Sequence, residues 1–322
     1  MKFKYLSAVA LLFLLFSCSS SQKSGVPVVG FVDYLEDATL AQPRAGFTDA
    51  LKKNGFSEEQ HTVKIEYKNA QSSIATLAQI INLFISKKVD LLATCTTLST
   101  ISAVQKTKTI PIFEMISPTP KLMNVVDASG NAPVNLFGAM EDLNYIDTSF
   151  AIIPQLVKPK GGKLVIGMIY NQAEPQSADA MKHISELANK AGITLIALPV
   201  NTSADAQLVT QSLLRKNIDV FFANPDNTIF ASFETILKNC NQNKVPIFTS
   251  EAGLVQRGAV AAFGADFYQW GYQAGEQAAK FLKSGNTDGL KPEMVKVRKR
   301  VYNAASAKQF NINVPANFEA VK

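Results

Sequence analysis

The chain is short of the residues that carry most enzyme chemistry. Its 322 residues include only two histidines, three cysteines and one tryptophan. His61 and His183 stand in polar surroundings without the spacing of metal ligands, so no metal site is expected. No Gly-x-Ser-x-Gly elbow and no glycine-rich phosphate loop occurs, and neither histidine falls at the end of an expected strand. Paired carboxylates, such as Glu114 with Glu174 or Glu251, are the one catalytic arrangement left open. The residues therefore argue against an enzyme and for no cofactor. Charge of one sign is also lacking: 32 Lys and Arg stand against 26 Asp and Glu, a net of +6. The densest basic run, Lys296 to Arg300, reads as a solvated strand, and nucleic acid is not an expected partner. Cys95 and Cys240 give no disulfide framework. Cys240 lies on the apolar stripe Ile229, Phe233, Ile236, Leu237 of its helix and reads as packing.

Long hydrophobic runs are missing everywhere except the N-terminus. There Lys2 and Lys4 precede an apolar run from Leu6 to Phe16 that is too short to span a bilayer comfortably. The run ends in Leu15-Phe16-Ser17-Cys18, followed by a polar stretch, Ser19 to Gly25. This resembles the lipobox of bacterial lipoproteins, with Phe16 a loose fit. The expectation is a signal peptide over 1–17, lipid on Cys18, a tether over 18–25, and an exported body held at the envelope membrane.

What the chain has in quantity is a repeated α/β pattern, long enough for two ordinary domains. Val89-Asp90-Leu91-Leu92-Ala93 leads to the polar Thr94-Cys95-Thr96-Thr97, then a helical run, then Ile110-Pro111-Ile112-Phe113. Ile218 to Ala223 leads to Asn224-Pro225-Asp226-Asn227, then a helical run, then Val245-Pro246-Ile247-Phe248. Each is a βαβ unit of a parallel sheet. Val26–Val32 and Lys163–Tyr170 open the two halves as continuous apolar strands. The fold expected is α/β: two doubly wound parallel-sheet lobes with a ligand cleft between them. Ligands of such sheets bind off the carboxyl ends of strands.

Several segments carry a family resemblance over nearly the whole chain after the signal. They are Lys108-Thr109-Ile110-Pro111-Ile112, Ile169-Tyr170-Asn171 with Glu174-Pro175 and Ser177, Pro225-Asp226-Asn227-Thr228, Val245-Pro246-Ile247-Phe248, Arg257-Gly258-Ala259, Gly264-Ala265-Asp266-Phe267-Tyr268 and Asn303 to Lys308. The chain resembles the substrate-binding proteins of ABC importers with a periplasmic-binding-protein-like, type I fold, a family with aromatic amino-acid-binding members. Two loops depart from it: Asp37-Ala38 stands where His-Pro is frequent, and Ser117-Pro118 where Asp-Pro is frequent. The resemblance implies three crossings between lobes. Lobe one is then 26–144, completed by 264–290, and lobe two 145–263, completed by 291–322. It also implies an ABC permease as partner, a small zwitterionic ligand such as an amino acid, and a monomer. A receptor that reports its ligand to a signalling partner is the alternative.

The site residues expected are those at strand ends. Thr94, Thr96, Thr97, Ser99 and Thr100 exceed what capping one helix needs, and suit a carboxylate. Asn171 and Glu174 follow one strand of the second half, and Asp226 and Asn227 another. Glu36 follows the first strand, and Asp266 lies in a matched segment. Glu251, past Phe248 and beside Gly253, resembles the acid that receives the ligand's ammonium in related binding proteins. Met115 and Tyr170, with Tyr34 and Phe267, are candidates for an apolar side-chain pocket. Trp270 reads as core.

Overall fold

The computed structural model describes residues 25–224 and 226–321. The signal-peptide, lipidation and most of the tether expectations lie outside the described residues. In the first half, five strands alternate with helices: β1 (Val28–Asp33), α1 (Ala41–Lys53), β2 (Lys64–Asn69), α2 (Ile74–Ser86), β3 (Leu91–Cys95), α3 (Thr97–Lys106), β4 (Ile112–Pro118) and β5 (Leu136–Glu141). Helices α4 (Asn144–Ala151) and α5 (Ile153–Leu156) lead to β6 (Val165–Asn171), α6 (Pro175–Lys190), β7 (Thr194–Val200), α7 (Ala206–Leu214), β8 (Val220–Ala223), α8 (Asn227–Gln242), β9 (Ile247–Thr249), α9 (Ala252–Gln256) and β10 (Ala261–Ala265). The chain closes with α10 (Phe267–Ser284), β11 (Pro292–Met294), β12 (Arg298–Tyr302), α11 (Ala304–Gln309) and β13 (Glu319–Ala320).

Two sheets result. The first has the order β11-β5-β4-β3-β1-β2 and is parallel throughout. The second has the order β13-β12-β10-β9-β8-β6-β7, with β12 antiparallel to β10. Continuous burial of β1, β3 and β8 explains their unbroken apolar sequence, since helices cover both faces. Strand β2 lies at an edge and alternates Lys64, Glu66 and Lys68 with half-buried Ile65 and Tyr67.

Helix α10 returns to the first sheet and packs on α1. A side chain at Gly271 would place its Cβ 1.9 Å from the Pro43 carbonyl oxygen, so the two backbones meet only because it is absent. Its C-terminus stops at Gly285, in the left-handed conformation at φ +71. The last crossing falls later than expected at 290. Pro292–Met294 pairs with β5, and the Val295 amide donates to the Met140 carbonyl, so the chain leaves the first sheet only beyond these residues. The basic run from Lys296, expected as a solvated strand, accordingly enters its strand only at Arg298. Among the described residues no helix is long and apolar enough to cross a membrane.

Candidate functional site

A cavity lies between the carboxyl ends of the two sheets. From the first sheet it takes Thr96 and Thr97 at the start of α3, Ile116 to Pro118 at the end of β4, and Glu141 to Leu143 after β5. From the second it takes Tyr145, Gln176, Asp226, Asn227 and Phe230. Phe267 and Trp270 of α10 complete the wall.

On the first sheet's side the cluster at the ends of β3 and β4 is neutral, the acids there being Glu141 and Asp142 at the end of β5. Thr96 stands at φ +74 and does not cap α3 with its side chain, so the first amides of that helix keep no side-chain acceptor. Its hydroxyl is buried and has no partner. Behind it the Thr100 hydroxyl joins those of Thr94 and Ser117, at 2.9 Å each. The five-hydroxyl cluster therefore divides. Thr96 and Thr97 face the cavity, while Thr94 and Thr100 pair inside the lobe.

The second sheet's side is acidic and amide-rich. Asp226 caps α8, accepting the Ile229 amide at 2.7 Å on one oxygen. Its other oxygen takes the Ser177 hydroxyl at 2.6 Å and the Asn171 amide at 3.2 Å. Glu174, only 3% exposed, receives the side-chain amides of Asn171 (3.1 Å), Gln176 (2.6 Å) and Asn227 (2.7 Å). Burial, with the Asp226 charge beside it, pushes Glu174 up to about 8. Burial likewise raises Asp226, against the hydrogen bonds of Ser177 and Ile229.

Between these sides the wall is aromatic. Phe267 stands edge-on to both Phe230 and Trp270, at 5.9 and 5.8 Å between ring centroids. The Trp270 ring nitrogen donates to the Ala139 carbonyl at 2.6 Å, which fixes the indole plane. Glu141 joins the two sheets by accepting from Arg298 at 2.8 Å, and its second oxygen is buried without a partner.

The lobes also touch at the rim. Arg257, just after α9, donates to Asp37 at 2.8 Å and to Thr39 at 3.1 Å in the loop after β1. Gln42 and Gln256 are bonded at 2.9 Å. Asp37 thus serves as one half of an inter-lobe ion pair.

Of the expected site residues, the structure gathers Thr96, Thr97, Asp226 and Asn227 onto the cavity, with Glu174 and Asn171 directly behind them. Asn171 is fully engaged: its nitrogen donates to Glu174 and Thr228, and its oxygen accepts from Ala173. Phe267, named for the side-chain pocket, also lines the cavity, and the others are elsewhere. Glu251 is fully buried, with its carboxylate folded back onto the Gly253 and Leu254 amides at the start of α9. Met115 points inward on β4 into the core of the first lobe, because strand alternation sends it to the α1/α10 face. Tyr170 is half-buried against the core of the second lobe. Asp266 caps α10 and pairs with Lys299 at 2.7 Å. Glu36 is exposed in the loop after β1. Tyr34 donates to the Ser72 carbonyl. The sequence reading missed Glu141, Gln176, Tyr145 and Phe230, and took Trp270 for core alone. It is core on one side and cavity wall on the other.

Two mostly parallel α/β sheets facing each other across a cavity lined by both define a two-lobed solute-binding protein of the periplasmic, type I kind. The family model for ABC transporter substrate binding proteins matches residues 28–321, and the chain belongs to that family. Members of the family are substrate-binding proteins, and this one is not an enzyme. The chain is 32% identical over 255 residues to a tyrosine-binding protein of Clostridioides difficile strain R20291, which covers 79% of this chain and 72% of that protein. It is similar in structure to a conserved domain protein of Vibrio cholerae O1 biovar El Tor, with a TM-score of 0.81, 29% identity, and 92% of this chain and 100% of the other covered. The fold also matches an ABC domain from Streptococcus pneumonia in complex with L-Trp, at a TM-score of 0.80 and 21% identity, covering 90% of this chain and 96% of that one.

Proposed function

We propose that the chain is the extracytoplasmic binding protein of an ABC importer, a monomer held to the membrane through lipid on Cys18, and that it captures an aromatic α-amino acid for its permease. One observation carries this reading. A single cavity offers donors on one wall, acceptors on the facing wall and three aromatic rings between them. The uncapped amides of α3 with the Thr96 hydroxyl suit a carboxylate. The acidic cluster opposite suits an ammonium, and the Phe230, Phe267 and Trp270 rings suit a planar side chain. The relative named for tyrosine and the neighbour holding L-Trp support the same ligand class.

The two sheets act as lobes that close on the ligand, the Arg257–Asp37 pair and the Gln42–Gln256 contact meeting as they do so. Thermal-shift and calorimetric titration of residues 19–322 against the amino acids tests the reading. L-tyrosine or L-tryptophan should raise the melting temperature, since a ligand at 100 times its Kd adds about 2.7 kcal/mol. No shift with any aromatic amino acid would remove the proposed ligand. Small-angle scattering should show a smaller radius of gyration with ligand than without.

A further inference from the structure

The Glu174 carboxylate bonds inward, away from the cavity, yet it sits beneath two residues that line it. Gln176 and Asn227 each send their side-chain nitrogen to the same Glu174 oxygen, at 2.6 and 2.7 Å, and the Asn227 backbone amide adds a third donor at 3.3 Å. Asn171 occupies the other oxygen at 3.1 Å. Both Glu174 oxygens accept here, each from an amide N–H, so a neighbouring side-chain amide presents its nitrogen to the carboxyl. The opposite end of each amide is then forced to be oxygen. Those two oxygens, Oε1 of Gln176 and Oδ1 of Asn227, are both buried and without partner. Both residues line the cavity, and Asn227 is only 5% exposed.

We infer that Glu174 is a positioning residue, which holds the Gln176 and Asn227 amides oxygen-outward and so makes a pair of obligate acceptors for the ligand's ammonium. The inference rests on the amino-acid reading above and deepens it by naming what faces the cationic end. A buried acceptor without a donor is costly, and an ammonium supplies three donors where a hydroxyl supplies one. The acceptors themselves are uncharged, so the negative charge acts from one layer behind. Replacing the carboxylate by an amide removes the constraint: a glutamine at 174 offers one acceptor and two donors, and either neighbouring amide can then turn its nitrogen to the cavity. The ammonium would meet donors in place of acceptors.

The test is a ratio of affinities, which a purely structural role does not move. L-tyrosine and 3-(4-hydroxyphenyl)propionate differ only in the α-ammonium. Calorimetry should find the wild type binding L-tyrosine at least a hundredfold more tightly. In Glu174→Gln that preference should shrink by about tenfold or more, the span of a hydrogen bond to a charged group. Gln176→Met, at a partly exposed side chain, removes one acceptor without touching the buried cluster and should also lower the ratio. If both variants bind both compounds more weakly but at the wild-type ratio, Glu174 is structural and the inference is overturned while the amino-acid reading stands. If Glu174→Gln does not fold, Gln176→Met decides alone by the same ratio. If the wild type binds neither compound nor L-tryptophan, the amino-acid reading fails and takes the inference with it.

Discussion

The two strand-end clusters that meet in the cavity are built from opposite chemistries. On the first sheet the cluster is a string of hydroxyls, Thr94–Thr100–Ser117, at the foot of a helix that lacks a side-chain cap. It carries no ionisable group. On the second sheet two buried carboxylates, Glu174 and Asp226, organise three amides and a hydroxyl. The equivalent helix there is capped, by Asp226 itself. The same βαβ architecture thus leaves its helix end open on one lobe and closes it on the other. A ligand bridging the two would meet positive partial charge at α3 and negative charge beneath Asn227. The difference is one of polarity, and under the amino-acid reading proposed above it would orient a zwitterion.

The largest break of this asymmetry comes from Asp226→Asn. It keeps the shape but puts a donor where Ser177 and the Asn171 amide already donate. Truncating one side of a desolvated charge interaction costs roughly 2–5 kcal/mol. L-tyrosine affinity should fall by about a hundredfold or more, at roughly 1.4 kcal/mol per decade. Stability should fall by about 1–3 kcal/mol in urea, because buried donors lose their acceptor. Unchanged calorimetric affinity would place the cationic end of the ligand elsewhere.

Next in size is the pH response of the second sheet's wall of the cavity. Glu174 is raised to about 8, with Asp226 its nearest acidic neighbour and Tyr34 facing it from the other lobe. An acid whose folded value lies above its unfolded one contributes stability that is full below the unfolded value and is lost as pH rises through about 8. Ligand affinity should run the other way. The ionised carboxylate is the form that orients the amides and attracts an ammonium, so affinity should rise between pH 6 and 8, by at most about tenfold per unit. Binding at pH 7 should release protons, read as a dependence of calorimetric heat on buffer ionisation enthalpy. A flat profile would mean that Glu174 is already ionised in the free protein.

A smaller effect on binding is expected from the neutral side. Thr100→Val removes the hydroxyl that joins Thr94 to Ser117 and leaves two buried hydroxyls short of a partner. Stability should drop by about 1–3 kcal/mol. L-tyrosine affinity should change less than tenfold, and with no pH dependence of its own. A pH-dependent loss would contradict the division between the two walls.

The parallel-sheet halves were legible because Val26–Val32 and, after Lys163, Leu164–Tyr170 carry no charged residue, as a strand covered on both faces requires. Strand β11 was not, since Pro292-Glu293-Met294 has no pattern and exists only by pairing with β5 far away in sequence. Thr96, Thr97, Asp226 and Asn227 were found by the rule that ligands sit at strand ends. That rule locates a loop but does not say which way a side chain turns within it. Trp270 shows the limit from the other side: a helical stripe says that a ring points inward, not that the far side of the ring is a cavity. Glu141 closes β5, a short strand that no motif in the sequence singles out. Gln176 stood between two residues singled out, but nothing in the sequence says that Glu174 would take its nitrogen.

Glu251 is where that limit is most open to test, and it should produce the smallest change in affinity. It and Asp226 look alike in sequence, each an acid just beyond a strand of the second sheet, and each caps a helix. Only Asp226 borders the cavity. Glu251 spends both oxygens on the Gly253 and Leu254 amides, and burial lifts it to about 7 despite those bonds. Glu251→Gln keeps one acceptor for the helix start, so the folded protein should change by about 1 kcal/mol, in the range of a capping substitution. Its raised folded value means that stability is lost as pH climbs from about 4.5 through about 7. The variant should therefore flatten that part of the melting profile, while L-tyrosine affinity stays within about twofold of wild type. A tenfold loss of affinity at an unchanged melting temperature would return Glu251 to the ligand, and would mean that α9 unwinds to release it when the lobes close.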